Sequence, residues 1–291
     1  MIQYANQYTA PQIRQMWKTV FGDSDSYIDI YFREKYRNER TLVYLEGEKA
    51  VASLQMLPYN FTFCDVEIPV AYISGVSTLP EAQKKGYMHQ LLLKSFEEMA
   101  KNNISLAILV PQEAWLLEFY DKYGYAQTFD AGVEEVFSLK TLLDKHLQDE
   151  ESAYNEFDSQ FRSQDMTVQK TFEDFQTIVE EGRLFNFPSK KNLIGMARMI
   201  DAEKLLSIFA KKYPQKHFSV ILDDEIIQNN NTAFVINSGL VTKNTKLIEP
   251  ILHLNIRKFT QLLFGYHTSK KDIISRALFP EKTAQMNFML E

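Results

Sequence analysis

The sequence predicts an α/β (α+β) protein in two parts, and three observations lead there. The chain of 291 residues is 45% hydrophobic and 24% charged, the composition of an ordered globular protein, and it is long for one domain. Its first 138 or so residues alternate helix-period segments with strand-like runs, one of which, I-S-L-A-I-L-V-P at 104–111, is almost wholly apolar. After a polar, acidic stretch, a second α+β pattern starts near Leu193.

Taken in order, Ile13, Met16, Trp17, Val20 and Phe21 fall at helical spacing behind Pro11 and predict an amphipathic first helix. An aromatic stretch from Tyr27 to Tyr36 follows. T-L-V-Y-L, the turn E-G-E-K and A-V-A-S-L-Q-M-L predict a β-hairpin, and strands continue through N-F-T-F-C and E-I-P-V-A-Y-I-S-G-V-S-T-L. Met88, Leu91, Leu92, Phe96 and Met99 mark one face of the next helix, and the 104–111 run suits a buried central strand. Trp115, Leu116, Phe119, Tyr120 and Tyr123 share a helical face that stops at Gly124, and residues to about 139 read as closing strands. Between Leu139 and Gln169 the chain is polar with few apolar anchors and reads as a connection. Beyond it, a helix from Asp201 to Lys212, strands H-F-S-V-I-L-D and T-A-F-V-I-N, and a helix I-R-K-F-T-Q-L-L-F-G make the second part. The expected divisions are 1–138, 139–190 and 191–291.

Composition also excludes function classes. The single cysteine, Cys64, forms no internal disulfide or thiolate cluster, and the five histidines (His89, His146, His217, His253, His267) lack metal-ligand spacing, so no metal is expected. A net charge of −6 leaves no broad basic face for nucleic acid. No run reaches the roughly 18 apolar residues of a membrane span. The start lacks a charged-then-apolar export segment, and a cytoplasmic location is expected. The 21 Phe, 15 Tyr and 2 Trp read first as core.

The stretch that carries chemistry is V-S-T-L-P-E-A-Q-K-K-G-Y-M-H, residues 76–89, where a strand, a proline break and a glycine turn lead into an amphipathic helix. Free N–H groups at a helix start, the helix dipole, Lys84 and Lys85 together suit a diphosphate, and Gly86 lets backbone come close. Taken alone, the same residues equally describe a solvated turn capping a surface helix.

With the strand before it and the apolar strand, second helix and F-Y-D-K-Y-G-Y after it, this segment resembles the GNAT acetyltransferases. Gln83, Lys84, Lys85, Gly86, Tyr87 and Met88 stand at the Q/R-x-x-G-x-G/A positions of that family's acetyl-CoA loop. Met88 replaces the family's small last residue, which is similar to the Eis-like (enhanced intracellular survival) branch. The resemblance implies a GNAT mixed-sheet domain, acetyl-CoA as co-substrate, and cofactor contacts from Val76, Ser77, Thr78, Lys84, Lys85, Gly86, Tyr87, Met88, His89, Gln112 and Glu113. G-M-A-R-M-I-D-A-E-K-L-L at 195–206, F-T-Q-L-L-F-G-Y at 259–266 and L-F-P at 278–280 resemble the sterol-carrier-like domain that ends Eis-like proteins. About 50 residues lie where those enzymes carry a second acetyltransferase-type domain.

Spacing alone makes Tyr120 a packing residue beside Leu116. The resemblance makes it the general acid near the cofactor sulfur. Ala71 to Thr78 carries no carboxylate, so a strand glutamate is not the base. The resemblance implies the main-chain carboxylate at Glu291, with Glu113 and Glu118 as local alternatives. The expected activity is direct acetyl transfer from acetyl-CoA to a primary amine, on a small molecule or a peptide. The competing class is a non-enzymatic protein that binds a lipid or a partner on the same scaffold. Homo-oligomer formation stays open.

Overall fold

The computed structural model describes residues 1–243 and 252–290. The N-terminal region runs β1 (Ile2–Tyr4), α1 (Ala10–Phe21), α2 (Asp25–Glu34), β2 (Thr41–Glu46), β3 (Lys49–Phe63), β4 (Val66–Thr78), α3 (Tyr87–Lys101), β5 (Leu106–Leu109), α4 (Ala114–Asp121) and β6 (Ala126–Phe129). Next come α5 (Leu139–Lys145), α6 (Glu150–Phe161), β7 (Thr167–Gln169) and α7 (Phe172–Leu184). The C-terminal region holds β8 (Gly195–Met199), α8 (Ala202–Lys212), β9 (Phe218–Asp223), β10 (Ala233–Asn237), β11 (Leu240–Lys243), β12 (Leu252–Asn255), α9 (Ile256–Leu263) and α10 (Ile273–Leu278).

Among the described residues the first sheet has eight strands in the order β1-β2-β3-β4-β5-β8-β6, with β7 paired to β3. β4 and β5 run parallel and the other pairs antiparallel. Alternation along the strands sorts side chains onto two faces. Trp17, Tyr27 and Tyr31 of α1 and α2 pack with Phe61, Val70 and Tyr72 on one face. Leu91, Leu92 and Phe96 of α3 pack with Leu54, Ala71, Ile73 and Leu109 on the other, together with Tyr120 of α4. The apolar run expected as a central strand is β5, and all four of its residues are buried.

Two expectations change. Residues 139–184 are not a mere connection: Leu139, Leu142, Leu143, Phe157, Phe161, Phe175 and Ile178 line one stripe of three helices and close a core with Phe288. Thr171 and Asp174 form a capping box that starts α7. The polar residues that hid these helices are their solvent faces. Closure of the first sheet also comes from elsewhere. β6 alone lies between 126 and 138, and β8, expected at the head of the second part, inserts between β5 and β6.

The second sheet, order β11-β10-β9-β12, packs through α8 and α9 onto the α1–α2 face of the first. Phe209, Val220, Leu254, Phe259 and Phe279 share one continuous core with Tyr72, Phe129 and Met199.

Candidate active site

The first sheet splits between β4 and β5. They pair only at Ala71 with Ala107 and at Tyr72 with Ile108, and β4 then runs on from Ile73 to Thr78 without β5 beside it. Backbone groups on that edge of β4 lack a strand partner among the described residues and are open to a ligand's amides. A bulge sits in the same stretch, where the register with β3 shifts between Ser53 and Gln55. Gly75 makes it possible: its φ is +56°, and a Cβ there would lie 2.6 Å from the Trp17 ring.

At the open end of this fork the chain turns into α3. Lys84 and Gly86 both adopt left-handed backbone, with φ of 62° and 80°. Alternating backbone of this kind turns successive N–H groups to one side as an anion-binding nest. The first hydrogen bond of α3 runs from Gln90 N to Gly86 O, and the N–H groups of Lys84 through His89 donate to no described residue. Space around the Gly86 α-carbon is open, with no atom within 4 Å of a built Cβ. The Lys84 ammonium is exposed and makes no ion pair with a described residue, whereas Lys85 Nζ lies 3.2 Å from Glu46 Oε1 and Tyr87 Oη bonds the same carboxylate. The chemistry of this cradle fits a diphosphate.

Tyr120 lies on the α3 face, in the cluster that holds Ile73, the first β4 residue past the fork, and Leu109, the end of β5. It is 5% exposed, its ring centroid is 5.1 Å from Phe119 and 5.7 Å from Tyr125, and its hydroxyl bonds no described residue. Burial pushes its pKa well above the ordinary phenol value, so it stays a proton donor at neutral pH. Val76 packs against this cluster, as do Tyr87 and Met88. Ser77 turns inward, its Oγ 3.1 Å from Ser53 Oγ and 3.3 Å from Met16 Sδ; Thr78 ends the strand. Gln112 and Glu113 are exposed in the loop after β5, where Glu113 Oε2 accepts from Trp115 Nε1 at 2.7 Å. Glu118 points away, into a groove of about 730 Å³ between α4, β6 and α9. Glu291 lies outside the described residues.

The sequence reading missed a group on the opposite face of the fork. Tyr31 Oη donates to Gln55 Oε1 at 3.0 Å, which leaves Ser74 Oγ, 2.8 Å away, as donor to Tyr31. Gln55 Nε2 and Tyr27 Oη are buried with no hydrogen-bond partner among the described residues. The aromatic stretch 27–36 was the one signal for this group, since Gln55 and Ser74 sit in strands that read only as apolar.

Residues 1–128 match the acetyltransferase (GNAT) domain family. Over nearly the whole chain the structure is similar to Eis1 from Mycobacterium abscessus (TM-score 0.66, 11% identity, 99% of each chain). It is also similar to GCN5-related N-acetyltransferases from Kribbella flavida (0.65, 13%, 98% of this chain and 96% of that one) and Anabaena variabilis (0.61, 14%, 97% and 94%). At these identities the likeness is one of fold. No curated protein matches the sequence. The expected mixed α/β fold is the one observed, and it is that of the GNAT acetyltransferases. Among the described residues no helix is long and apolar enough to cross a membrane.

Proposed function

We propose that this protein is an N-acetyltransferase that moves acetyl from acetyl-CoA directly to a primary amine. The observation that carries the reading is the run of free N–H groups from Lys84 to His89 at the mouth of the β4–β5 fork. The diphosphate sits in that cradle with Lys84 and Lys85, and the pantetheine arm lies along the open edge of β4 beside Val76, Ser77 and Thr78, reaching Gln112 and Glu113. The thioester then lies within the fork near Tyr120. The acceptor comes from the opposite face, where Tyr27 Oη and Gln55 Nε2 have no partner among the described residues.

The neutral amine attacks the thioester carbonyl, the C–S bond breaks, and the Tyr120 hydroxyl protonates the departing thiolate. Held positions do most of the work. The proton of the attacking nitrogen goes to a carboxylate, which the sequence resemblance assigns to the main chain of Glu291; Met289 and Leu290 before it are buried in the core that holds Tyr72. The sterol-carrier-like reading of the C-terminal part is kept, supported by its four-stranded sheet flanked by α8 and α9.

The test is incubation with acetyl-CoA and a panel of primary amines (polyamines, aminoglycosides, peptide amines), reading free CoA thiol and product mass. The expected result is amine-dependent thiol release with an acetylated product. Thiol release no faster than in the amine-free control, with no calorimetric binding of CoA, would overturn the reading.

A further inference from the structure

The groove on the outer side of α4 belongs to no part of the acetyl-transfer site. It holds about 730 Å³ between α4, β6 and α9, a volume in the range of small-molecule sites. Leu117, Ala126 and Met196 give it an apolar side, and six charged side chains line the rest. Asp121 is taken up by Arg257, whose Nη1 donates to the Asp121 carbonyl at 3.1 Å and whose Nε lies 3.6 Å from its carboxylate. Glu118 of α4 and Lys122 at its C-cap stand four positions apart, carboxylate first, and offset each other. Lys258 and Lys271 remain, the first exposed and the second half-buried, and neither makes an ion pair with a described residue. A protein of net charge −6 thus turns two unpaired ammoniums into one groove. Like charges gathered without a counter-charge repel, and an anion between them removes that cost.

We propose that this groove is a second ligand site, for a phosphate monoester with an apolar body. The dianion matches the ammoniums of Lys258 and Lys271, and a ring or short chain covers Leu117, Ala126 and Met196. The site is separate from the Lys84 to His89 cradle. Glu118 and Asp121 line the groove, whereas Tyr120 of the same helix is 5% exposed and packs in the cluster with α3. Leu117 and Met196 belong both to the groove and to that cluster, so an occupant rests on the back of the helix that carries Tyr120. The site stands whether or not the cradle takes CoA.

The experiment is calorimetry of the full chain, with and without saturating CoA, using phenyl phosphate, phenol and inorganic phosphate as probes. Phenyl phosphate should bind once per chain with Kd below about 1 mM at low salt, at least about fivefold tighter than either fragment. The double variant Lys258→Gln/Lys271→Gln should weaken it about tenfold or more, with melting temperature and CoA affinity unchanged. Lys258→Arg/Lys271→Arg, which keeps both charges, should retain it. No binding, equal binding of inorganic phosphate, no loss in the glutamine variant, or displacement by CoA would each overturn the site. So would sedimentation with phosphatidic acid vesicles by a protein that ignores phenyl phosphate, which marks a lipid surface instead. Phenyl phosphate binding in a protein that does not bind CoA would keep this site and remove the acetyl-transfer reading.

Discussion

Arg198 Nη2 donates to both carboxylate oxygens of Asp224, at 2.7 and 2.8 Å, and the two side chains are 0% and 1% exposed. The pair ties β8, which closes the first sheet, to the loop after β9 in the second. Asp224 also accepts from Ile226 N, Ile227 N and Asn230 Nδ2, so its charge is fully bonded.

Removing one partner should strand a buried charge. Arg198→Met is expected to cost about 3–5 kcal/mol in urea unfolding, and adding Asp224→Leu should recover much of it. Burial pushes the Asp224 carboxyl up, but Arg198 and Asn230 outweigh it and hold the pKa below the ordinary value. Its contribution is therefore present above the unfolded carboxyl pKa and lost as pH falls through the lower folded one. The wild-type protein should lose this stability below about pH 4, and Arg198→Met should show no such loss.

Lys170 shares this direction of pH dependence, but its charge destabilises the fold. It is 4% exposed, with its Nζ hydrogen-bonded to Val168 O at 3.4 Å and lying 5.3 Å from the Tyr59 ring. Burial pushes its pKa down to about 7, against the pull of Asp174 and with the help of Lys35. Between that value and the unfolded lysine's roughly 10.4 the unfolded chain holds more protons, so stability rises with pH across this window. Lys170→Met should stabilise the fold by roughly 2–4 kcal/mol at pH 7 and by far less at pH 10, as read by thermal melts at both.

Gly86 separates backbone from steric effects. Because a Cβ there meets nothing within 4 Å, the cost of Gly86→Val comes from its φ of +80°. The variant should lose about 1–2 kcal/mol of stability. Reoriented N–H groups should weaken CoA at least about tenfold by calorimetry. Undiminished affinity would place the nucleotide elsewhere.

Tyr120→Phe keeps the ring that packs against Phe119 and Tyr125 and removes the proton donor. Once an acceptor is in hand, kcat should fall by roughly 10² with the KM for acetyl-CoA little changed. Unchanged turnover would return Tyr120 to the core.

Helices α1, α3 and α4 and strand β5 were legible in the sequence because their signals are local. Periodic residues such as Ile13, Met16 and Trp17 need only their own helix to be recognised, and the apolar run around Ile108 needs only its own strand. The turn at Lys84 to Gly86 was legible for the same reason, since glycine chemistry and the helix that follows are neighbours in the chain.

Tertiary structure decided the rest, because the deciding contacts join residues far apart in sequence. Arg198 in G-M-A-R-M looks like a surface residue until Asp224, 26 positions later, meets it in the core. The fork exists because β5 stops after two pairs with β4 while β8 takes its other edge. The Tyr31–Gln55–Ser74 network needs a helix, a strand and a bulge brought together, with Gly75 giving way to Trp17. Local preference names the elements; pairing across the sheet sets which polar atoms face one another, and with that the chemistry of the site.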